Sequence, residues 1–390
     1  MDLQSNVLIP DFKSLKQLIK KKARQLGFSL VGVTTCEPPA HLNVYQNWIA
    51  AGYHGEMGWL ATERAIKRRA DPHEILKECQ SILVLGMLYE QADNFRKRDD
   101  HGRIASYAIG KDYHDRIPPL LREIVRYIEE QVGEHVPNRV YTDTGSIMER
   151  EIAQRAGLGW IGKNTCLINP KEGSYFFLAE IFLGIALDAD EPFLSDQCGS
   201  CTRCIEACPT SCILPNRTID ASRCISYLTI ELKSEIPEEL RALIGDWVFG
   251  CDVCQQVCPW NQPFSTYKKQ SIFDGSTSAS YPDLDESLSL TTEKFNRLFK
   301  GSAVKRTKRR GYLRNIAVAA GNQGSPNLVK SLVNAMQDPE SLVRRHVAWA
   351  LGQIGGDEAL DVLRIAAQKE TDEQVLDEIN NALETCFERS

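Results

Sequence analysis

Two short cysteine runs constrain this chain more than any other feature of its 390 residues. From residue 198 the sequence reads CGSCTRCIEACP, and from residue 251 it reads CDVCQQVCP. The first run has the spacing of bacterial ferredoxins, in which three cysteines bind one 4Fe–4S cluster and the cysteine before proline binds the other. The runs therefore predict two iron–sulfur clusters within one small module.

The second run is one cysteine short of this pattern, and Cys224, between the runs, can complete it. Cys212 can replace Cys224, although a thiol buried as a small apolar side chain is the simpler interpretation of Cys212. Zinc sites are the alternative to clusters, but zinc does not require the third closely spaced cysteine or the Cys-Pro endings. As in ferredoxins, each cysteine before proline is assigned to the cluster of the other run. The predicted ligands are therefore Cys198, Cys201, Cys204 and Cys258 for cluster 1, and Cys208, Cys224, Cys251 and Cys254 for cluster 2.

The composition is ordinary for a soluble globular protein, with 43% hydrophobic and 25% charged residues. No run approaches the roughly 18 apolar residues of a membrane span, and the first residues lack the pattern of an export signal. We therefore expect a cytoplasmic protein without a membrane partner. In that compartment, clustered cysteines bind metal more often than they form disulfides.

Basic residues are concentrated in one stretch, although the net charge is -6. Between Glu293 and Asp338 there are ten Lys or Arg and no acidic residue. Such a stretch is either a solvated surface or the electrostatic footprint of a polyanion site. Its densest part, KRTKRRGYLR, contains Lys305, Arg306, Lys308, Arg309, Arg310 and Arg314.

The pattern of apolar residues divides the chain into regions. Residues 1–190 mix helical and strand patterns and are predicted to form an α/β domain. The cysteine module over 191–265 and a polar linker over 266–290 follow. Over 291–390 the pattern is helical and repeats, since LRNIAVAAGNQG at 313 aligns with RRHVAWALGQIG at 344 and more weakly with VLDEINNAL at 375. These copies predict HEAT-like repeats, which are too few to be stable without a neighbouring domain.

Individual elements of the first region are also predicted. DFKSLKQLIKKKARQLGF should form a helix that ends at Gly27. IPPLLREIVRYIEEQVG should form a helix with prolines at its start, and SIMEREIAQRAG a helix whose Ser146 and Glu149 have the spacing of a capping box. The predicted strands are FSLVGV, SILVLGMLY, RVYTD and YFFLAEIFLGIAL.

The segment AGLGWIGKN, from Ala156, is unusually rich in glycine. Gly157, Gly159 and Gly162 permit either tight packing of the backbone or close approach of a large planar group, and the spacing alone favours packing. The segment is not a dinucleotide-binding fingerprint, because it follows a helix and lacks the third glycine of that motif.

Extended to ERxxAxxAGLGWIGKN and followed by the two cysteine runs, this segment closely resembles the epoxyqueuosine reductase family. Other matching pieces are GYHGEMGWL at 52, RADPHEIL at 69, GKDYHD at 110 and TDTGSIMERE at 142. The resemblance reaches about residue 265 and extends to the C-terminal helices of the longer members. It implies reduction of epoxyqueuosine, at the wobble position of tRNA, to queuosine, which is the last step of queuosine biosynthesis.

The resemblance also implies a cobalamin between the N-terminal domain and the cysteine module, with electrons arriving through the two clusters. The stretches DPH at 71 and DYH at 112 begin the D-x-H-x-x-G motif of other corrinoid proteins, but Leu76 and Ile117 replace its glycine. We therefore predict base-off cobalamin with no histidine ligand. Lys163 and Asn164 are expected to hydrogen-bond amide side chains of the corrin. The full set of expected cofactor contacts is Gly159, Trp160, Gly162, Lys163, Asn164 and Ser174.

Loss of the epoxide oxygen as water requires a proton donor, because an alkoxide leaves poorly. Asp143 in TDTGSIMERE matches the proton donor proposed for the family. Its alternative role is to cap the next helix, for which the capping box makes it less necessary. Tyr113 in GKDYHD is a second candidate, as a donor or a substrate contact, with an ordinary core tyrosine as the alternative.

A tRNA substrate favours phosphate binding by the basic stretch from Lys305 to Arg314. We also expect a monomer and an external low-potential electron donor such as ferredoxin or flavodoxin. One alternative is a reductive dehalogenase for small molecules, which the missing twin-arginine signal and the basic repeats disfavour. Another is an iron–sulfur electron-transfer module that needs no cobalamin.

Overall fold

Helices make up most of the regular structure of the computed structural model, which describes residues 12–92, 97–262, 273 and 280–389. No helix within these ranges is long and apolar enough to cross a membrane. The strands are β1 Leu30–Thr34, β2 Ser81–Leu88, β3 Arg103–Ile104, β4 Asn138–Tyr141, β5 Trp160–Ile161, β6 Leu167–Ile168, β7 Phe176–Leu183 and β8 Trp247–Phe249. The helices are α1 Phe12–Gln25, α2 Leu42–Ala50, α3 Glu63–Ala70, α4 Tyr113–Val132, α5 Glu149–Arg155, α6 Arg203–Glu206, α7 Ile225–Ile230, α8 Glu238–Ile244, α9 Val253–Gln256, α10 Leu284–Leu288, α11 Thr292–Leu298, α12 Lys308–Gln323, α13 Val329–Ala335, α14 Ser341–Ile354, α15 Asp357–Lys369 and α16 Glu373–Arg389.

The N-terminal region contains a four-stranded sheet in the order β1-β2-β7-β4, with all neighbouring strands antiparallel. On one face, Ile19 of α1 and Ile124 of α4 pack against Ile181 of β7. On the other face, Ile152 of α5 packs in a cluster with Phe182. Strands β2 and β7 are almost wholly apolar because both of their faces are covered. The predicted mixture of helix and sheet is confirmed.

Helix α4 begins one turn earlier than its prolines suggest. Asp112 caps it by accepting a hydrogen bond from the His114 N–H, so Pro118 and Pro119 lie inside the helix. At its other end, Gly133 adopts a left-handed φ of 81°, which glycine tolerates without strain. The earlier start makes Tyr113 the first helical residue, close to the loop that follows β4.

The predicted helical repeats are confirmed by α12, α14 and α16, which pack side by side. The glycine that recurs in the first two copies permits this packing. A Cβ added at Gly321 would lie 2.9 Å from the Ala350 Cα, and one added at Gly352 would lie 2.8 Å from the Ala382 Cα. These glycines therefore serve close contact between helices.

The helical repeats share one core with the cysteine module, because buried residues of α7, α8 and β8 belong to the same apolar cluster as α12, α14 and α16. Across this interface, Arg241 and Glu378 form a buried two-point salt bridge with N–O distances of 2.6 and 3.0 Å. The repeats therefore pack on a neighbouring domain, and their dependence on it for stability stays a prediction. Of the predicted linker over 266–290, only residue 273 and residues 280–290 are described, and the latter include α10.

A disulfide joins two elements of the sheet domain. Cys36 follows β1 and Cys79 precedes β2, and their Cα atoms lie 6.2 Å apart. The antiparallel pairing of Thr34 with Ile82 brings these strand ends together. The expectation for cytoplasmic cysteines did not anticipate this bond, because neither residue belongs to a cysteine run.

Candidate active site and cysteine module

The cysteines predicted for cluster 1 line one small cavity of about 50 Å³. A turn closed by the Cys201 N–H and the Cys198 carbonyl oxygen, 3.0 Å apart, brings the first of them together. Trp160 lies against them and donates from Nε1 to the Cys198 Sγ at 3.4 Å. The wall thus contains the complete predicted set of Cys198, Cys201, Cys204 and Cys258.

A second group of cysteines contains more thiols than one cluster needs. The Sγ atoms of Cys208 and Cys212 lie 3.4 Å apart, and the Cys212 thiol also hydrogen-bonds with Cys224. Cys166 hydrogen-bonds with Cys254. Two additional thiols therefore lie beside the predicted ligands of cluster 2. No spacing in the sequence marks Cys166, because it lies outside both runs.

Lys163, Asn164 and Ser174 secure the cysteine module. Lys163 Nζ donates to two carbonyl oxygens of the first run at 2.7 and 2.9 Å. Asn164, 3% exposed, donates to a backbone carbonyl of α9. Ser174 Oγ accepts hydrogen bonds of 3.0 Å from Gln255 and Asn261. The polar atoms of all three side chains thus bind the cysteine module, and their expected contacts with a corrin stay predictions.

The space beside the Cα atoms of Gly159 and Gly162 is occupied by other residues of the protein. A Cβ at Gly159 would lie 2.1 Å from the Ile168 carbonyl oxygen, and one at Gly162 would lie 2.5 Å from the Ile168 Cδ1. Trp160 between them is fully buried. Packing inside the protein therefore accounts for Gly159 and Gly162, and the expected cofactor contacts of Gly159, Trp160 and Gly162 stay predictions.

Asp143 and Tyr113, the two predicted catalytic residues, are in direct contact. Asp143 lies on the loop after β4 with a φ of +54°, which is uncommon for a residue with a side chain. Its Oδ2 accepts a hydrogen bond of 2.5 Å from the Tyr113 hydroxyl and lies 3.8 Å from the His114 Nε2. Burial and the charge of Asp143 raise the pKa of Tyr113 well above its usual range, so its hydroxyl remains a donor. Asp143 itself is 60% exposed and accessible to a substrate.

Two further carboxyl groups lie behind Asp143. Glu149, at the start of α5, accepts a hydrogen bond of 3.1 Å from the Asp143 N–H. Glu180 on β7 is 0% exposed, and neither of its carboxyl oxygens has a hydrogen-bond partner in the described part of the chain. Burial, followed by the charge of Asp143, raises the pKa of Glu149 to about 8. Burial and its two acidic neighbours raise the pKa of Glu180 well above its usual range.

The predicted capping box at the start of α5 is wrong. Glu149 binds the backbone of Asp143, and the residue before the helix is Met148, which makes no side-chain cap. The spacing of Ser146 and Glu149 matched the motif, but the tight loop at Asp143 places a different N–H within reach of the Glu149 carboxylate.

A cleft of about 590 Å³ lies beside this carboxyl group. Residues from α2, α3 and α5 form one wall, and residues 194–196 and 216–219 of the cysteine module form the other. The lining combines apolar side chains such as Trp48 and Ile147 with charged ones such as Arg69 and Glu149. This combination of apolar surface and few charged groups is typical of sites for organic ligands.

Arg309 and Arg314 are engaged inside the protein. Arg309 donates to the Leu290 carbonyl oxygen and forms a salt bridge with Asp338. Arg314 is 1% exposed, and its guanidinium donates to the carbonyl oxygens of Leu228, Leu232 and Ser234. The prediction that these two arginines bind tRNA phosphates is therefore corrected, since their donors are used by the fold.

The other predicted basic residues are exposed, and we call them the basic patch: Lys305, Arg306, Lys308 and Arg310. Within the patch, Arg306 forms a salt bridge with Glu231 at 2.7 Å. Burial lowers the pKa of Arg306, but the charges of Glu231 and then Asp143 outweigh it and raise that pKa, which shows that Arg306 is near Asp143. Lys233, which is also exposed, lies near the patch, since burial and the charges of Arg306 and Lys308 help to lower its pKa. Its position in the chain, inside the cysteine module, concealed this proximity.

Three family models match successive parts of the chain. Residues 69–144 match the model described as epoxyqueuosine reductase QueG, DUF1730. Residues 197–261 match a 4Fe–4S double cluster binding domain, and residues 306–384 match HEAT repeats. The last two matches confirm the predicted iron–sulfur and HEAT-like modules.

Relatives and solved structures agree with the first match. An epoxyqueuosine reductase of Cyclobacterium marinum is 43% identical over 305 residues, which cover 77% of this chain and 95% of the relative. One from Pseudomonas aeruginosa is 40% identical over 358 residues, 90% of this chain and 98% of the relative. A crystal structure of epoxyqueuosine reductase with a tRNA-Tyr epoxyqueuosine-modified stem loop has a TM-score of 0.89 at 28% identity and covers 97% of this chain and 100% of that one. The chain therefore belongs to the epoxyqueuosine reductase family and is an oxidoreductase.

Proposed function

We propose that the protein reduces epoxyqueuosine to queuosine at the wobble position of tRNA, the last step of queuosine biosynthesis. The observation that carries this proposal is an exposed carboxyl, Asp143, which Tyr113 holds by a hydrogen bond. Its backbone N–H donates to Glu149, which lines the cleft, and Arg306 of the basic patch is near it. Relatives named epoxyqueuosine reductase support it over most of the chain, as does a relative solved with a modified stem loop. Neither a small-molecule dehalogenase nor a separate electron-transfer module accounts for an exposed acid with a basic residue of the helical repeats near it.

Four regions divide the work in this proposal. Residues 1–190 bind cobalamin and carry the chemistry, residues 191–265 hold the clusters, residues 266–290 link the two halves, and residues 291–390 bind tRNA. The wall of the cleft supports the first assignment, the grouped thiols the second and the exposed basic patch the last.

The grouped thiols fit two 4Fe–4S clusters, because each group offers at least four cysteines from both runs or their flanks. Cys212 stays an alternative to Cys224, since it contacts both Cys208 and Cys224. The proposed ligands are Cys198, Cys201, Cys204 and Cys258 for cluster 1, and Cys208, Cys224, Cys251 and Cys254 for cluster 2.

Replacing Cys254 with serine is expected to remove cluster 2, which would lower the iron content from about eight to about four atoms per chain. Cys212→Ser is the matched control and is expected to retain both clusters. Iron analysis and electron paramagnetic resonance of the reduced proteins measure the difference. If Cys212→Ser lost about four iron atoms while Cys224→Ser kept all of about eight, Cys212 and not Cys224 would be the ligand of cluster 2.

We place cobalamin in the cleft, base-off and without a histidine ligand. The size and mixed lining of the cleft support this placement. The buried Tyr175 hydroxyl, which lies near the second cysteine run and not in the wall of this cleft, also has no hydrogen-bond partner in the described residues. When bound, cobalamin supplies low-valent cobalt chemistry that delivers electrons to the epoxide.

The protein's own residues then handle protons and position the tRNA. Asp143 donates a proton to the epoxide oxygen, while the Tyr113 hydroxyl occupies Oδ2 and orients the carboxyl. The basic patch binds phosphates of the anticodon stem loop, so that the modified nucleotide can leave the stack and reach Asp143. We further propose that the enzyme works as a monomer and receives electrons from an external low-potential donor such as ferredoxin or flavodoxin.

The deciding test is turnover of an epoxyqueuosine-containing tRNA stem loop by the cluster-loaded protein, titrated with cobalamin under reducing conditions. We expect queuosine to form, the rate to saturate at one cobalamin per chain, and the absorption spectrum to show no axial imidazole. Reduction of organohalides without reduction of the stem loop would favour the dehalogenase alternative. Failure of the cluster-loaded protein to bind cobalamin would favour the electron-transfer alternative.

Neutralising Lys305 and Lys308 together to glutamine is expected to weaken binding of the stem loop by about tenfold at low salt. Each lost phosphate contact lowers the slope of log affinity against log salt by about 0.7–0.9, so the pair should lower it by about 1.5. The matched control is Lys330→Gln with Lys369→Gln, two exposed lysines of the same repeats. Equal slopes for both double variants and the unmodified protein would make the basic patch an ordinary solvated surface.

A further inference from the structure

The chemistry requires more protons than Asp143 holds. An epoxide oxygen that leaves as water takes up two protons in one turnover, whereas a single carboxylic acid carries one. Asp143 can deliver both protons only if it is protonated again within the same turnover. The need for a second proton rests on the proposed function. Behind Asp143 lie two carboxyl groups, those of Glu149 and Glu180, to which the mechanism has so far given no role.

We propose that Glu149 is a proton-holding residue that acts through Asp143 and restores its proton after the first transfer. In this step the O–H bond of the Glu149 carboxylic acid breaks and an O–H bond forms on the Asp143 carboxylate. Glu149 then takes a proton from water in the cleft. No electrons move in the step, and no additional reactant is needed.

The position of Glu149 suits this role on both of its sides. Toward the substrate, its Oε1 is 3.1 Å from the backbone nitrogen of Asp143. The left-handed conformation of Asp143 produces this contact by turning its N–H toward α5. Toward solvent, Glu149 lines the 590 Å³ cleft, which gives water access to the carboxyl. The residue therefore connects the exposed acid to a source of protons.

The groups around Glu149 favour its protonated form. Asp143 is in front of it, and Glu180 of β7, whose own pKa the charge of Glu149 helps to raise, lies near it in the sheet. The two nearby cations are engaged elsewhere, since Arg150 donates to the carbonyl and hydroxyl oxygens of Thr165 and Arg69 donates to a carbonyl within its own helix. Burial and the charge of Asp143 accordingly raise the pKa of Glu149 to about 8, despite the opposing charges of Arg150 and Arg69.

The third carboxyl group of the site is that of Glu180. It is fully buried at the centre of the sheet, opposite Tyr141 of β4 and Val84 of β2. Its carboxyl oxygens have no hydrogen-bond partner among the described residues, and an ionised carboxylate in such a place is very costly. Burial without a hydrogen-bond partner therefore favours the protonated form of Glu180, and a second carboxyl beside Glu149 offers it no positive charge.

Infrared titration of the purified protein, before any cofactor is loaded, tests the protonation of Glu149 independently of turnover. Ordinary carboxyl groups are ionised at pH 7, so the remaining carboxylic-acid bands should belong to Glu149 and Glu180. We expect one band to disappear as the pH rises through about 8 and to be absent in Glu149→Gln. Glu180→Gln should remove a second band that does not titrate in this range. A spectrum without a carboxylic-acid band at pH 7 would overturn the proposal.

The pH dependence of turnover by the loaded enzyme tests the transfer itself. Below about pH 8 Glu149 holds its proton, so the supply is present there and is lost as the pH rises through 8. Glu149→Gln keeps an oxygen that can accept from the Asp143 N–H but carries no transferable proton. We expect its rate at pH 7 to fall about 10-fold or more and its decline near pH 8 to disappear. Glu149→Asp should restore part of the rate.

The control is Glu130→Gln, which alters an exposed carboxylate of α4 that does not line the cleft. It is expected to leave the shape of the pH profile unchanged. A pH profile of Glu149→Gln identical to that of the unmodified enzyme would show that water protonates Asp143 directly. If the unmodified enzyme does not reduce the stem loop at all, the proposed function fails, while the infrared result still reports on Glu149.

Discussion

Asp143→Asn is expected to lower the rate of epoxyqueuosine reduction by about 10²–10⁴-fold, the usual contribution of a positioned general acid. The amide retains the size of the side chain and an oxygen that accepts from the Tyr113 hydroxyl, but it has no acidic proton. Iron content, cobalamin binding and affinity for the stem loop should therefore remain those of the unmodified protein. Single-turnover kinetics, with nucleoside analysis of the digested stem loop, measures the rate.

The control for this substitution is Asp115→Asn, which removes an exposed carboxylate from the first turn of α4, near Tyr113 in the chain. It tests whether a lost negative charge near the site is sufficient to slow the reaction. A near-normal rate for Asp143→Asn would remove Asp143 from the mechanism. A rate lost together with cobalamin or stem-loop binding would give Asp143 a structural role.

Arg314→Gln is expected to destabilise the protein by about 3–5 kcal/mol, the range found when one partner of a buried charged network is removed. The guanidinium donates to three buried carbonyl oxygens, two of them at 2.6 and 2.9 Å, and joins α12 to the segment after α7. Glutamine is too short and has too few donors to replace these bonds. The midpoint of urea denaturation, monitored by circular dichroism, measures the loss.

This prediction separates two uses of arginine within one basic stretch. For the folded fraction of Arg314→Gln, the salt dependence of stem-loop binding should equal that of the unmodified protein, in contrast to the double variant of Lys305 and Lys308. An unchanged denaturation midpoint combined with a smaller salt slope would return Arg314 to phosphate binding.

Local patterns were sufficient for most elements. The apolar periodicity of α1, the continuous apolar run of β7 and the repeated glycines of α12 and α14 each identify the element that the structure contains. Errors occurred where two local signals competed. Pro118 suggested the start of α4, but the cap at Asp112 begins the helix earlier. Ser146 and Glu149 matched a capping box, but the loop at Asp143 captured the Glu149 carboxylate.

In the candidate site, too, local motifs identified some residues but did not reveal their contacts. Asp143 and Tyr113 were named from short motifs, and the structure joins them by one hydrogen bond. His114 and Glu149 were visible in the same motifs, yet nothing in their spacing indicated contact with Asp143. Glu180 had no signal at all, because a single acid within an apolar strand does not reveal which residues will cover it.

The sequence by itself determined the parts of the protein that depend on local spacing. Closely spaced cysteines identified the iron–sulfur module, recurring glycines identified the helical repeats, and ordered motifs identified the family. Only the tertiary structure decided which polar groups are exposed and which are engaged. Lys163 holds a cysteine loop, Arg314 is buried against backbone carbonyls, and Glu149 lies behind Asp143. Exposure and protonation depend on side chains that are distant in sequence, and folding alone brings these together.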